Sequence, residues 1–79
     1  MMHLIFYSKE NCSICDKGLQ TIESLKKEFT FTLEYVDIYS DDQLLEQYMW
    51  RIPVVKMDGK VIDEGILSTS KLRSSFPKT

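Results

Sequence analysis

Met2-His3-Leu4-Ile5-Phe6-Tyr7-Ser8-Lys9-Glu10-Asn11-Cys12-Ser13-Ile14-Cys15 runs from an apolar stretch through a polar break into two cysteines. The stretch Met2 to Ser8 is short and rich in β-branched and aromatic side chains, and it reads as a buried strand. Lys9-Glu10-Asn11 ends that pattern. From Ser13 to Phe29, apolar residues recur at Ile14 or Cys15, Leu19, Ile22, Leu25 and Phe29. Those spacings of three and four predict a helix with one buried face, and Glu23, Lys26, Lys27 and Glu28 supply its wet side. Gly18 inside the helix costs about 1 kcal/mol against Ala, which suggests a close packing contact.

The rest of the chain extends this unit. Phe31 to Ile38 is strongly β-prone. Ser40-Asp41-Asp42 is an N-cap cluster ahead of a short helix carrying Leu44, Leu45 and Tyr48. Ile52 to Met57 predicts a strand with Pro53 near its start, a place a strand tolerates. Asp58-Gly59 is a hairpin turn, and Lys60 to Asp63 is the returning strand, ended by Gly65. A last helix spans Ser68 to Phe76, capped by Ser68 or Thr69, with Leu67, Leu72 and Phe76 packing inward and Pro77 closing it. The order is β-α-β-α-β-β-α, an α/β fold expected to occupy residues 1–79 as one domain. The first βαβ calls for parallel strands joined by a right-handed crossover, and the hairpin makes the last two antiparallel. Helices then cover both faces of a four-stranded mixed sheet.

Composition narrows the function. The 79 residues are 43% hydrophobic and 28% charged, ordinary for a globular chain. A formal net charge of −2 offers no basic stripe for nucleic acid. The longest apolar run, Leu4-Ile5-Phe6-Tyr7, is far short of the roughly 20 residues of a spanning helix, so no membrane partner is expected. The N-terminus has no secretory pattern, and a cytoplasmic location is expected.

Cys12 and Cys15 are the whole thiol inventory. A bridge between them closes almost no loop and stabilises little, so its value is chemical. At a helix start the first backbone N–H groups lack partners and carry partial positive charge. A Cys12 thiolate accepting from the amides of Ile14 and Cys15 has a lowered pKa, with Lys9 adding positive charge nearby and Glu10 and Asp16 pulling the other way. Cys15, one turn deeper, is expected to be more buried and more protonated. The asymmetry predicts that Cys12 attacks a disulfide and Cys15 then resolves the mixed disulfide. Zinc takes four protein ligands in a structural site, and outside the cysteines only His3 stands as a candidate. No metal site within one chain is expected, while zinc or an iron–sulfur cluster shared by two copies stays open. His3 itself reads as a structural or surface histidine. Trp50 reads equally well as a groove wall beside Pro53 and as a cap on the core.

Tyr7-Ser8-Lys9-Glu10-Asn11-Cys12-Ser13-Ile14-Cys15, Tyr35-Val36-Asp37-Ile38, Arg51-Ile52-Pro53-Val54 and Asp58-Gly59 occur in that order over nearly the full chain. Together they resemble a glutaredoxin-like protein of the thioredoxin superfamily, closest to its small bacterial glutaredoxin-like members. The resemblance implies a thioredoxin-like fold, thiol–disulfide exchange, Cys12 as nucleophile, Cys15 as resolving thiol, and a cis peptide bond at Pro53. It also implies Lys9, Ser13, Ile14, Ile52 and Pro53 as substrate-contacting positions, with a substrate segment pairing along Ile52 as a strand would. Departures are specific. Ser13 and Ile14 stand where glutaredoxins carry Pro and an aromatic residue, and Arg51-Ile52-Pro53 replaces Thr-Val-Pro. Asp63-Glu64 stands where a Gly-Gly lets backbone approach glutathione, and two carboxylates there are expected to repel an anionic tripeptide, with Arg51 partly compensating. Phe6 and Asn11 replace the buried acid and the Trp of thioredoxins proper.

The reading is a monomeric dithiol oxidoreductase with no bound cofactor, acting on a disulfide in a protein or small molecule. Its electron donor is either glutathione or a flavoprotein reductase. The rival is a binding module: a non-catalytic thioredoxin-fold adaptor, or a metal-bridged dimer joined through the cysteine pair.

Overall fold

The structure is a computed structural model and describes residues 2–77. The expected domain span reaches past these at Met1, Lys78 and Thr79, which lie outside the described residues. Strand β1 (Met2–Ser8) leads into helix α1 (Ser13–Ser24) and strand β2 (Phe31–Asp37). Helix α2 (Asp42–Tyr48), the hairpin β3 (Val54–Met57) and β4 (Lys60–Glu64), and helix α3 (Thr69–Ser75) complete the chain. The four strands lie in the order β2-β1-β3-β4. β1 runs parallel to β2 and antiparallel to β3, and β3 is antiparallel to β4, which gives the expected mixed α/β sheet.

Alternation along β1 sends successive side chains to opposite faces. Leu4 and Phe6 join Val55 beneath α1 and α3, where Cys15, Ile22, Leu25, Leu72 and Phe76 complete one core. Tyr7 and Val54 face the other way and pack with Ile38 and Tyr48, flanked by Leu44 and Leu45 of α2. Helices therefore cover both faces, α1 and α3 on one and α2 on the other. Gly18 meets its neighbours as closely as its position in α1 implied. A Cβ built there would stand 3.0 Å from Leu67 Cδ1 and 3.0 Å from Pro53 Cγ.

Of the boundaries that differ from the sequence reading, three have a visible cause. The apolar spacing predicts a first helix reaching Phe29, but α1 stops at Ser24 and a 3-10 turn covers Leu25–Lys27. Thr21 Oγ1 donates to the Lys17 carbonyl and Ser24 Oγ to that of Thr21, back-bonding that loosens the regular ladder. Leu25 stays fully buried, so the periodicity identified the right face. The second strand ends at Asp37 because the Asp37 carboxylate accepts the Tyr39 N–H and starts a 3-10 turn at Ile38. β3 begins at Val54, since Ile52 gives its N–H to the Tyr48 carbonyl and Pro53 has none.

Trp50 caps no core: it is 91% exposed. His3 is a surface residue whose Nδ1 lies 2.6 Å from Thr32 Oγ1 and whose Nε2 lies 3.1 Å from Glu34.

Candidate redox site

Asn11 turns the chain from β1 into α1 with φ +53°, a left-handed conformation that Asn tolerates better than most residues. That turn delivers Cys12 to the N-cap of α1 in an extended conformation, φ −119° and ψ 101°. Its carbonyl accepts the Asp16 N–H at 3.0 Å, and its Sγ accepts the Cys15 N–H at 3.2 Å. The sulfur thus takes the place that a Ser or Asp oxygen fills in an ordinary cap. Of the two amides expected to reach it, only that of Cys15 does; the Ile14 N–H makes no such bond.

Cys12 and Cys15 are joined as a disulfide, with Cα atoms 5.2 Å apart. Cys12 is 7% exposed and Cys15 3%, so the difference has the expected sign but is small. What separates the two sulfurs is position, one at the cap and one inside the first turn. Among the described residues no group of three or more His, Cys, Asp or Glu stands together to hold a metal.

The other positions named from the sequence fall into two places. Ser13 and Ile14 wall a cleft of about 410 Å³ along α1, closed on its far side by Ile66 and Leu67. Pro53 sits behind that wall, with its Cγ against Gly18, and the Ile52–Pro53 bond is cis. Ile52 packs against both cores. Its N–H is already spent on Tyr48, which removes one of the two backbone groups that strand-like pairing requires. Lys9 is exposed and lines a separate depression with Glu10, Asp37 and Tyr39.

The pair Asp63-Glu64 departs most from expectation. Neither carboxylate stands free to repel an anion. Asp63 is buried; Oδ1 accepts the Glu64 N–H at 2.9 Å, Oδ2 accepts the Ser68 N–H at 2.8 Å, and Lys71 Nζ lies 3.7 Å away. Glu64 Oε2 receives both Nη2 and Nε of Arg51, at 2.6 and 2.8 Å. The Gly65 N–H then donates to the Pro53 carbonyl at 2.8 Å and lies 3.2 Å from that of Arg51. Residues 63–68 are therefore strapped to the loop that precedes β3. Sequence reasoning missed this strap and the exposed Ile66 on it; Gly65, at φ +71°, was the one visible sign of a special backbone there.

Residues 3–76 match the family model described as a glutaredoxin-like domain (DUF836). The solution structure of protein Ne2328 from Nitrosomonas europaea superposes with a TM-score of 0.86 at 23% identity, covering 96% of this chain and 92% of that one. The protein XcR50 from X. campestris gives 0.73 at 24% identity, covering 90% and 91%. A point-mutant thioredoxin from Halobacterium salinarum gives 0.62 at 20% identity, covering 92% and 69%. At such identities these likenesses speak for the fold. No curated protein matches the chain. With the family model spanning nearly its whole length, this chain belongs to the glutaredoxin-like domain family (DUF836).

Proposed function

We propose that the chain is a thiol–disulfide oxidoreductase that reduces disulfides through Cys12 and Cys15. The observation carrying this reading is the Cys15 N–H directed at Cys12 Sγ at the start of α1, between two sulfurs close enough to bond. A backbone N–H and the helix start both favour sulfur as an anion, and the anion is the nucleophile. In the reduced protein the Cys12 thiolate attacks one sulfur of a substrate disulfide, forming a mixed disulfide and releasing the first thiolate. Cys15, losing its proton, then attacks Cys12 Sγ, closes the Cys12–Cys15 bond and releases the second thiolate. Two electrons pass to the substrate, and a donor must return two to the protein.

Glutathione and a flavoprotein reductase are the two donors proposed. The neutralised Glu64 and the inward Asp63 weaken the objection to glutathione without supplying a site for it. A monomer in the cytoplasm, where such donor pools keep thiols reduced, suits this reading.

The test is reduction of the oxidised protein by glutathione and by thioredoxin reductase in parallel, with turnover of a disulfide substrate by wild type, Cys12→Ser and Cys15→Ser. Loss of turnover in Cys12→Ser is expected. Full activity in that variant overturns the assignment. Stoichiometric zinc or iron in the purified protein together with a doubled mass favours the metal-bridged dimer instead.

A further inference from the structure

Trp50 and Ile66 are the two most exposed large apolar side chains among the described residues, at 91% and 80%. Their backbones are tied through the strap: Trp50 precedes Arg51 and Ile66 follows Gly65, and the Arg51 carbonyl lies 3.2 Å from the Gly65 N–H. Ile66 also shares the cleft with Ile14, which lies between the two cysteines and is itself exposed. The cleft beside the cysteine pair thus carries exposed apolar side chains from both α1 and the strap. It is also held rigid at Ile66, because Asp63, Glu64 and Gly65 each spend a polar group fixing that segment. An exposed aliphatic side chain on a pinned segment is preorganised to receive a partner.

Charge defines the rest. Arg51 is taken up by Glu64 and lies with its guanidinium carbon 5.2 Å from the Tyr48 ring centroid, so it offers no free cation to a small anionic thiol. Lys17 lines the cleft and makes no ion pair among the described residues. Resting on the oxidoreductase reading, we propose that the substrate disulfide belongs to a polypeptide. A large apolar side chain beside its cysteine seats between Ile14 and Ile66, and a neighbouring acidic group reaches Lys17. With Arg51 held by Glu64, the site has no free guanidinium to draw in a small anionic disulfide.

The test uses the full chain, reduced and freed of reductant, in single turnovers followed by the loss of two hydrogens from the Cys12–Cys15 pair. Each turnover oxidises that pair and yields two thiols from the probe. The probes are a peptide disulfide with Leu and Glu flanking its cysteine, the same peptide with Ser and Lys there, oxidised glutathione, and bis(2-hydroxyethyl) disulfide. The Leu/Glu peptide is expected to react about tenfold faster than the Ser/Lys peptide, the discrimination one buried aliphatic group supplies. Ile66→Ser removes most of that ratio, and Lys17→Glu lowers it by about twofold to fivefold, the range of an exposed ion pair. Glu64→Gln releases Arg51 and raises the rate with oxidised glutathione relative to bis(2-hydroxyethyl) disulfide. Equal rates for the two peptides, or a ratio unmoved in both Ile66→Ser and Lys17→Glu, overturn the proposal. No reaction with any of the four disulfides would instead bring down the oxidoreductase reading beneath it.

Discussion

The backbone N–H of Cys15 lies 3.2 Å from the Sγ of Cys12, inside the same helical turn that carries both residues. One sulfur is thereby a hydrogen-bond acceptor at a helix start, while its partner donates the very amide that holds it. In the reduced protein this favours the anion at Cys12 over that at Cys15. Alkylation of Cys12 is expected to titrate below about 8.5, the value of a free thiol. Iodoacetamide rates across pH, read by peptide mass for each cysteine, check this; equal titration of both sulfurs would refute the asymmetry.

Cys15→Ser is expected to behave differently from Cys12→Ser. With its resolving sulfur gone, the variant retains the attacking group and stalls as a mixed disulfide. Mass spectrometry after exposure to a model disulfide should show the adduct on Cys12 alone.

Gly18 marks the closest approach of α1 to Pro53 and Leu67. Val at this position places its Cβ 3.0 Å from atoms of both neighbours and adds two methyl groups beyond it. The expected loss is about 1–3 kcal/mol, the usual range for overpacking. Denaturant unfolding of Gly18→Val against wild type measures it, and a midpoint at or above wild type would show that the contact yields.

Asp63 bridges the end of β4 to the start of α3 by accepting the Ser68 N–H at 2.8 Å. Asp63→Ala strands that part-buried donor and the Glu64 N–H together. A cost of about 2–3 kcal/mol is expected, in the range for hydrogen bonds to charged groups. Amide exchange should quicken first across residues 64–72, because the strap and the first turn of α3 lose their common anchor.

At the opposite end, Arg73 holds the Glu28 carboxyl below the usual carboxylate range, chiefly by its hydrogen bond and also by its charge. A lowered folded value means that the pair's stabilisation is complete above about pH 4.3, the ordinary Glu value, and fades as pH falls through the folded one. Melting curves of wild type and Glu28→Gln should therefore converge on acidification. Both groups are exposed, so the difference at neutral pH is small.

How far the sequence could be read depends on the range of the interaction involved. The face of α1, the caps at Asp41 and Ser68, and the turn at Asp58 and Gly59, both in positive φ, were legible because each is settled within a few neighbouring residues. The order of elements followed, and with it the cysteine pair at a helix start. Local pattern misplaced the fate of Asp63. β3 and β4 pair Val55 with Asp63 but Lys56 with Val61, so Ile62 is an extra residue in the ladder. Such a bulge sets two residues against one and shifts the alternation, which turns Asp63 toward the core that strict alternation denies it. Arg51 and Glu64 could be matched only once the hairpin had brought their loops together. The chain's own pattern therefore determined which chemistry stands at the helix start. Only the tertiary pairing decided what surface surrounds it, because a bulge and a strap between separate loops draw their energy from contacts that no short window of residues contains.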